Sequence, residues 1–317
     1  MNIRATSLGL SERMVNQLMF NQNSLLDLQI KMSTQKSVNK PSDNSVAAAQ
    51  ILVINKQQNN IETYKANIST AREQLNMLDS SLGRVIDITQ RANELALQAS
   101  NETYSSEQLK GMRGEVEQIK QAIVDFANTQ YNGQYIFSGN NVSYPAYTIS
   151  ADGSVMYNGS NSTADSKRTI EIMEGVEIPL NVNGVDIFGY YDATTTSGGV
   201  VVGSGSGLFK ALSDLSNALN EVPPDVTKIS AQMKPIQDGL NTVSNIRTEY
   251  GSYSSKRLDM TESYLTDLSL SLTEQRSGLE DLDLVKAITD LNNQKNAYQA
   301  SLQTTSTALS LSLLDYL

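Results

Sequence analysis

Apolar residues along this chain fall in stripes rather than runs. Between 11 and 34, Met14, Leu18, Leu25, Leu28 and Met32, with Asn21 filling the gap, are spaced alternately four and three apart. That heptad stripe is only two positions wide and predicts a helix that cannot bury its apolar face alone. Pro41 interrupts it, and Ser42 can cap the next helix with Asp43 favourable in the first turn. From 45 to 100 the repeat is strict. Ile54, Ile61, Ile68, Leu75 and Leu82 recur every seven residues, with Tyr64, Ala71, Leu78, Val85, Ala92 and Ala99 three further on. A sustained seven-residue repeat predicts a left-handed coiled coil, here roughly 80 Å long at ~1.5 Å per residue. Residues 101–106 read as a turn, with Ser105 and Gln108 fitting a capping box. Leu109, Met112, Val116, Ile119, Ile123 and Phe126 then give a third helix. The short connection predicts that it folds back antiparallel on the second.

At Asn128 the pattern changes. Tyr131-Asn132-Gly133 is a turn signal, 134–139 reads as a strand, and Asp152-Gly153 and Asn183-Gly184 look like hairpin turns. Residues 130–192 are therefore expected to form a β-rich insert, and the Gly/Ser-rich 194–207 a mobile loop. Helical pattern resumes at Leu208, Leu212, Leu215 and Leu219 and stops at Pro223-Pro224. Beyond 225 the chain is mostly helical, with Pro235 and Gly239 perturbing the start. Leu258, Leu265, Leu272 and Leu279 repeat every seven, with Leu268 and Leu282 as the second position. After Gly278 the register changes, and Leu284, Ile288, Leu291, Tyr298, Leu302 and Leu309 follow four-three spacing. The expected fold is mainly α with a β-rich insert (α+β). Long antiparallel coiled-coil helices from both termini form a rod, and a β-containing domain lies in the middle. Its segments are 1–44, 45–129, 130–207, 208–275 and 276–317. The terminal stripes admit two readings: they meet inside one chain, or they meet other subunits.

Composition narrows the chemistry. The 317 residues include 24 Lys+Arg and 34 Asp+Glu, for a net charge of −10. That sign argues against nucleic acid and against an anionic membrane surface. No Cys and no His are present, which removes disulfides, thiolate sites, the commonest general base and every Ser-His-Asp arrangement. Aromatics at 6% argue against a large aromatic core cluster. No window suits a bilayer span, the first twenty residues lack the pattern of a Sec signal peptide, and the N-x-[ST] triplets are read as chance. Gly203 to Gly207 lacks the phosphate-loop pattern and is read as a plain loop. The acidic cluster Glu280, Asp281, Asp283 is read as a solvated face or a salt-bridge partner for another subunit, not a catalytic pair. No catalytic, cofactor-binding or metal residue is assigned. Charge differs between the ends: residues 1–40 carry five basic and two acidic groups, and 258–317 three basic and nine acidic. Opposite signs favour pairing between the terminal helices and set orientation more than stability.

Four segments carry a resemblance. Met32-Ser-Thr-Gln-Lys-Ser-Val-Asn-Lys-Pro-Ser-Asp-Asn-Ser-Val-Ala-Ala-Ala is similar to the pattern S-T/S-G-K-x-x-x-x-P-S-D-D-P-x-x-A. Asn132-Gly-Gln-Tyr-Ile-Phe-Ser-Gly139, Thr248-Glu-Tyr-Gly251, and the stretch from Leu279 to the closing Ser312-Leu-Leu-Asp-Tyr-Leu follow in the expected order. The chain thereby resembles the flagellin superfamily of bacterial axial proteins, on the side of its junction-type members. It departs at Gln35, where Gly is usual, and at Asn44-Ser45 in place of Asp-Pro; 150–240 matches nothing. The resemblance implies a flagellin-like fold and a structural subunit joining the hook, through the first junction protein, to the flagellin filament. A flagellin-like filament subunit is the alternative, and an exported effector or surface hydrolase is disfavoured by the missing His and Cys. Implied partners are copies of itself, the first junction protein, flagellin, and a cytoplasmic export chaperone on the C-terminal segment. No cofactor is implied, and the location is extracellular after export without a Sec signal. The expected assembly interface is Met14, Leu18, Leu25, Leu28, Met32, Leu291, Tyr298, Leu302, Leu309, Leu313, Leu314, Tyr316 and Leu317. These helices bury too little to offset a backbone ordering cost of about 1–2 kcal/mol per residue until copies assemble.

Overall fold

The strict heptad that begins at 45 forms one uninterrupted helix. A computed structural model of the chain describes residues 3–101, 103–159, 168–193, 196–197, 200–201 and 203–314; the side chains of 3–11, 196–197, 200–201, 254–255 and 308–314 lie outside that description. In chain order the elements are α1 (Ile3–Thr34), α2 (Ser45–Ala99), α3 (Ser106–Ala127), β1 (Gln130–Tyr131), β2 (Gln134–Tyr135), β3 (Tyr147–Ile149), β4 (Val155–Tyr157), β5 (Thr169–Met173), β6 (Val176–Pro179), α4 (Gly184–Phe188), β7 (Tyr190–Asp192), β8 (Thr196–Ser197), β9 (Val200–Val201), β10 (Ser204–Ser206), α5 (Gly207–Leu219), α6 (Val226–Ala231), α7 (Met233–Ser252), α8 (Asp259–Glu280) and α9 (Leu284–Leu314). A π-helical turn, Tyr253–Leu258, joins α7 to α8. The fold is mainly helical, with small sheets in the middle of the chain. It divides into a terminal unit, Met1–Ile61 with Thr266–Leu317, and a central unit, Glu62–Leu265.

In the central unit, Ile68, Ala71, Leu75, Leu78, Leu82, Val85 and Ala92 of α2 are all buried. α3 runs antiparallel to it: Ser81 Oγ donates to Phe126 O at 2.9 Å, and Arg91 Nε to Glu115 Oε1 at 2.7 Å. The capping box forms as expected, Ser105 N donating to Gln108 Oε1 at 2.9 Å. α7 lies antiparallel against α2 as well. Arg247 donates from Nε and Nη2 to the two Asp79 oxygens at 2.8 and 3.1 Å, over Gly83, where a Cβ would sit 3.3 Å from the guanidinium carbon. Pro235 and Gly239 do not break α7. Pro235 lies in the first turn, where its missing N–H has no intrahelical partner to lose. Gly239 lets Leu208 of α5 approach to within 3.1 Å of where a Cβ would be. Ile236, Val243, Tyr250, Leu258 and Leu265 form the buried seam of this unit. Their spacing is seven throughout, except eight between Tyr250 and Leu258, and the π-helical turn absorbs that one extra residue.

The β-rich insert is present, with four corrections. β1 and β2 turn through Asn132 and Gly133, both at positive φ, as the Asn-Gly signal demands. The strand expected to reach 139 ends at Tyr135, because Ile136 and Phe137 are consecutive buried residues and cannot alternate across a strand. β3 and β4 turn at Asp152-Gly153 as expected, within an antiparallel sheet ordered β10-β7-β4-β3. Asn183-Gly184 is not a hairpin turn: Asn183 caps α4, its side chain accepting from Val185 N. The hairpin nearby is β5–β6, turning at Gly175. The described part of 194–207 is largely strand, not loop; β8 pairs with β9, and β10 pairs with β7. The scarce aromatics are also pooled here. Phe137, Tyr147, Phe188 and Phe209 form a cluster with ring centroids 4.9 to 6.1 Å apart. Tyr147 donates its hydroxyl to Gly189 O at 2.9 Å, and burial pushes that hydroxyl well above its ordinary pKa.

Candidate assembly interface

The terminal unit is organised around the break between helices at each end. α1 stops because Gln35 enters the left-handed region, φ 57°, and Lys36 N reaches back to donate to Lys31 O at 3.2 Å. This is a Schellman-type ending that glycine normally supplies, and Gln35 occupies it at a cost of about 1–2 kcal/mol. The following strand-like residues pair with the end of α8. Ser37 N donates to Glu280 O at 2.7 Å, and Leu282 N to Gln35 O at 3.0 Å. Glu280 takes the Lys36 ammonium and lies 3.8 Å from Arg276. Asp283 Oδ1 accepts from Val285 N and Lys286 N, both at 3.1 Å, and so caps α9. Within the chain Glu280 thus serves as an ion-pair partner and Asp283 as a helix cap, while Asp281 and Asp283 stay exposed, as a solvated face requires. The break between α8 and α9 falls where the register change was read. The cap of α2 is Asn44, whose Oδ1 accepts from Ala47 N at 3.1 Å, not Ser42. Asp43 instead closes the preceding turn, accepting from Asn39 N and Lys40 N at 3.0 and 3.1 Å. The Asn39 bond chiefly holds its carboxyl below the usual range.

α1 and α9 pack antiparallel, so the terminal stripes do meet inside one chain. Asn21 Nδ2 donates to Ser301 Oγ at 3.1 Å, and Gln294 Nε2 to Asn21 O at 3.2 Å. Met14, Leu18, Leu25, Leu28 and Met32 of α1 and Leu291 and Tyr298 of α9 are half-buried. Leu302 is 43% exposed, so one chain alone does not desolvate it. The side chains of Leu309, Leu313 and Leu314, and Tyr316 and Leu317 altogether, lie outside the described residues. No described side chain of α1 is buried, and α9 buries only Ala287 and Thr305 among its described ones.

The pattern reading missed a second apolar face. Met19, Phe20, Leu26 and Ile30 are 55, 64, 47 and 53% exposed. Met19, Leu26 and Ile30 share one side of α1, roughly opposite the stripe that meets α9. Val46, Leu52 and Val53 of α2 and Leu284, Val285 and Ile288 of α9 are exposed as well. On α1 and α2 the signal in the sequence is a large apolar residue off the heptad stripe, whereas Leu284 and Ile288 lie on the four-three stripe of α9 and are exposed all the same. Beside them, Ala49, Val53 and Ile54 of α2 and Gly278 and Leu279 of α8 line an open groove of about 610 Å³, edged by Gln50, Gln57 and Gln275. Such surfaces suit association, not bond-making chemistry. Among the described residues no group of three His, Cys, Asp or Glu is placed to hold a metal ion, and no helix is long and apolar enough to cross a membrane.

Comparison with known proteins matches this geometry. Residues 7–142 match the bacterial flagellin N-terminal helical region, and residues 233–317 the bacterial flagellin C-terminal helical region. The flagellar hook-associated protein 3 of Salmonella typhimurium (strain LT2) is 28% identical, the alignment covering 92% of this chain and 95% of that protein. The protein of the same name from Escherichia coli K12 is 27% identical, with 86% of each chain covered. A flagellin from Listeria innocua is 22% identical, over 91% of this chain and 89% of its own. In fold, the hook-associated protein 3 of Legionella pneumophila aligns with a TM-score of 0.59 at 17% identity, covering 71% of this chain and 98% of that one. FlgL of Bacillus cereus aligns at 0.55 and 22%, covering 71% and 99%. With both helical regions present in order and whole-length relatives of the hook-associated type, the chain belongs to the bacterial flagellin family, in its hook-associated protein 3 branch.

Proposed function

We propose that this chain is a structural subunit joining the flagellar hook, through the first junction protein, to the flagellin filament, and that its terminal helices become rigid as copies assemble. The observation that carries the assembly step is α1, a 32-residue helix without one buried described side chain. A helix gains its stability in a protein mainly by burying an amphipathic face, and this one leaves apolar side chains open on two sides. Met14, Leu18, Leu25, Leu28, Met32, Leu291, Tyr298 and Leu302, with Leu309, Leu313, Leu314, Tyr316 and Leu317, form the core of the assembled wall in this reading. The β-rich insert faces outward. The partners are copies of the chain, the first junction protein and flagellin, with an export chaperone on the C-terminal segment before secretion. The chain works by assembly and not by catalysis, outside the cell, after export without a Sec signal.

A deletion strain tests this. Loss of the chain is expected to leave hooks intact while flagellin escapes into the medium unpolymerised, and the unaltered chain is expected to restore filaments. The similarity to Listeria flagellin favours a second reading, a filament subunit. In that case the deletion strain would release no flagellin monomer.

A further inference from the structure

We infer that Asn132-Gly133, the turn between β1 and β2, is a site of spontaneous deamidation, and that the fold protects the other Asn-Gly pairs of the chain from the same reaction. There are three such pairs: Asn132-Gly133, Asn158-Gly159 and Asn183-Gly184. Asn is a thermolabile side chain, and a following glycine, lacking Cβ, puts the least bulk in the way of its own backbone nitrogen. Sequence therefore makes the three pairs alike, and structure separates them. The reaction needs a free glycine N–H and an Asn side chain able to turn its carbonyl carbon onto that nitrogen.

At 183–184 both groups are engaged. Gly184 N donates to Phe137 O at 2.8 Å, Asn183 Oδ1 accepts from Val185 N at 3.3 Å, and Asn183 is 6% exposed. At 158–159 the Asn is pinned. Its N donates to Ala146 O at 2.9 Å, its O accepts from Asn141 Nδ2 at 3.1 Å, and its Nδ2 donates to Thr148 Oγ1 at 3.1 Å. The Tyr157 ring closes over Gly159, where a Cβ would overlap the hydroxyl. At 132–133 both residues are exposed, and a Cβ on Gly133 would meet nothing within 4 Å. Among the described residues nothing accepts from Gly133 N.

In the first step Gly133 N gives up its proton and bonds to Asn132 Cγ. The Cγ–Nδ2 bond breaks, and ammonia leaves with that proton. The resulting succinimide then adds one water. Opening at the side-chain carbonyl gives Asp; opening at the main-chain carbonyl gives isoaspartate, whose backbone runs through Cβ and is one atom longer. Water enters, ammonia leaves, and nothing is oxidised or reduced. The longer backbone does not fit a two-residue turn that sets Tyr131 opposite Gln134. Either product also places a carboxylate beside Glu73, which accepts from the Tyr131 hydroxyl at 2.8 Å. Modification thus loosens the β1–β2 hairpin from α2, and from Arg168, which donates to Gln134 Oε1 at 2.9 Å.

The test ages the purified full-length chain in warm, mildly alkaline buffer and maps its peptides by mass spectrometry, with isoaspartate read by enzymatic methylation. Protected pairs react only from locally opened states, so residue 132 should convert at least about tenfold faster than 158 and 183. In denaturant the three should convert at similar rates. Equal rates in the folded chain, or no conversion at 132, would overturn the proposal. The same order of rates in denaturant would assign the selectivity to sequence and also overturn it. In a second arm, amide exchange at 130–135 should quicken in the aged chain but not in an equally aged Asn132→Gly chain, whose turn suits glycine. Unchanged exchange in the modified chain would overturn the structural consequence.

Discussion

Gln35 holds a backbone conformation that costs a side-chain-bearing residue about 1–2 kcal/mol, whereas glycine gives back only about 0.5–1 kcal/mol in unfolded-chain entropy. The balance predicts that Gln35→Gly stabilises the chain by about 0.5–1 kcal/mol in thermal or denaturant unfolding, and no gain would contradict the assigned helix ending. A second residue-scale prediction concerns Glu117 of α3, which accepts from Ser216 of α5 and pairs with the buried Lys120 at 2.8 Å. Burial raises its pKa, but the bonds from Lys120 and Ser216 outweigh this and hold it below the ordinary value of 4.5. The pair's contribution is therefore complete above that value and is lost as pH falls through the lowered one. Glu117→Gln should flatten the acid limb of the stability–pH curve, and an unchanged limb would remove Glu117 from the account.

At the scale of elements, capping separates two neighbours that look alike in sequence. Asn44→Ala is expected to cost about 1 kcal/mol of stability, and Ser42→Ala less than about 0.5 kcal/mol, because only Asn44 reaches a free N–H of α2. Equal losses in denaturant melts would contradict the cap assignment. The same pair shows what the sequence can express. The 55 residues of α2 were legible because a strict heptad states both the element and its buried face. The choice of cap was not, because Ser, Asp and Asn are all competent and the path of the preceding turn decides. Asn183-Gly184 carries the same dipeptide signal as Asn132-Gly133, yet one caps a helix and the other turns a hairpin. What separates them is burial, with Gly184 packed against Phe137 and Tyr147. The seam before Leu258 escaped notice because its eight-residue step breaks the count, and only the π-helical turn restores the face. In the proposed interface, the stripe facing α9 is legible as periodicity. The opposite face is not, since Met19, Leu26 and Ile30 are a pattern only once the first stripe is known to be covered.

At the scale of the whole molecule, apolar exposure is concentrated in the terminal unit, and a variant there should separate folding from assembly. Leu302→Asp alters a side chain that one chain leaves exposed. It is expected to change the unfolding temperature of the purified chain little and yet to abolish swimming, by placing a charge in a wall desolvated only on assembly. Normal swimming would remove Leu302 from the interface. The central claim, that α1 and α9 hold their structure through neighbouring copies, is tested most directly by amide hydrogen exchange on the dilute full-length chain and on isolated flagella. In the dilute chain, α1 and α9 should exchange orders of magnitude faster than Ile68 to Leu82 of α2, and in flagella all three should be equally slow. Equal protection of the three segments in the dilute chain would contradict it.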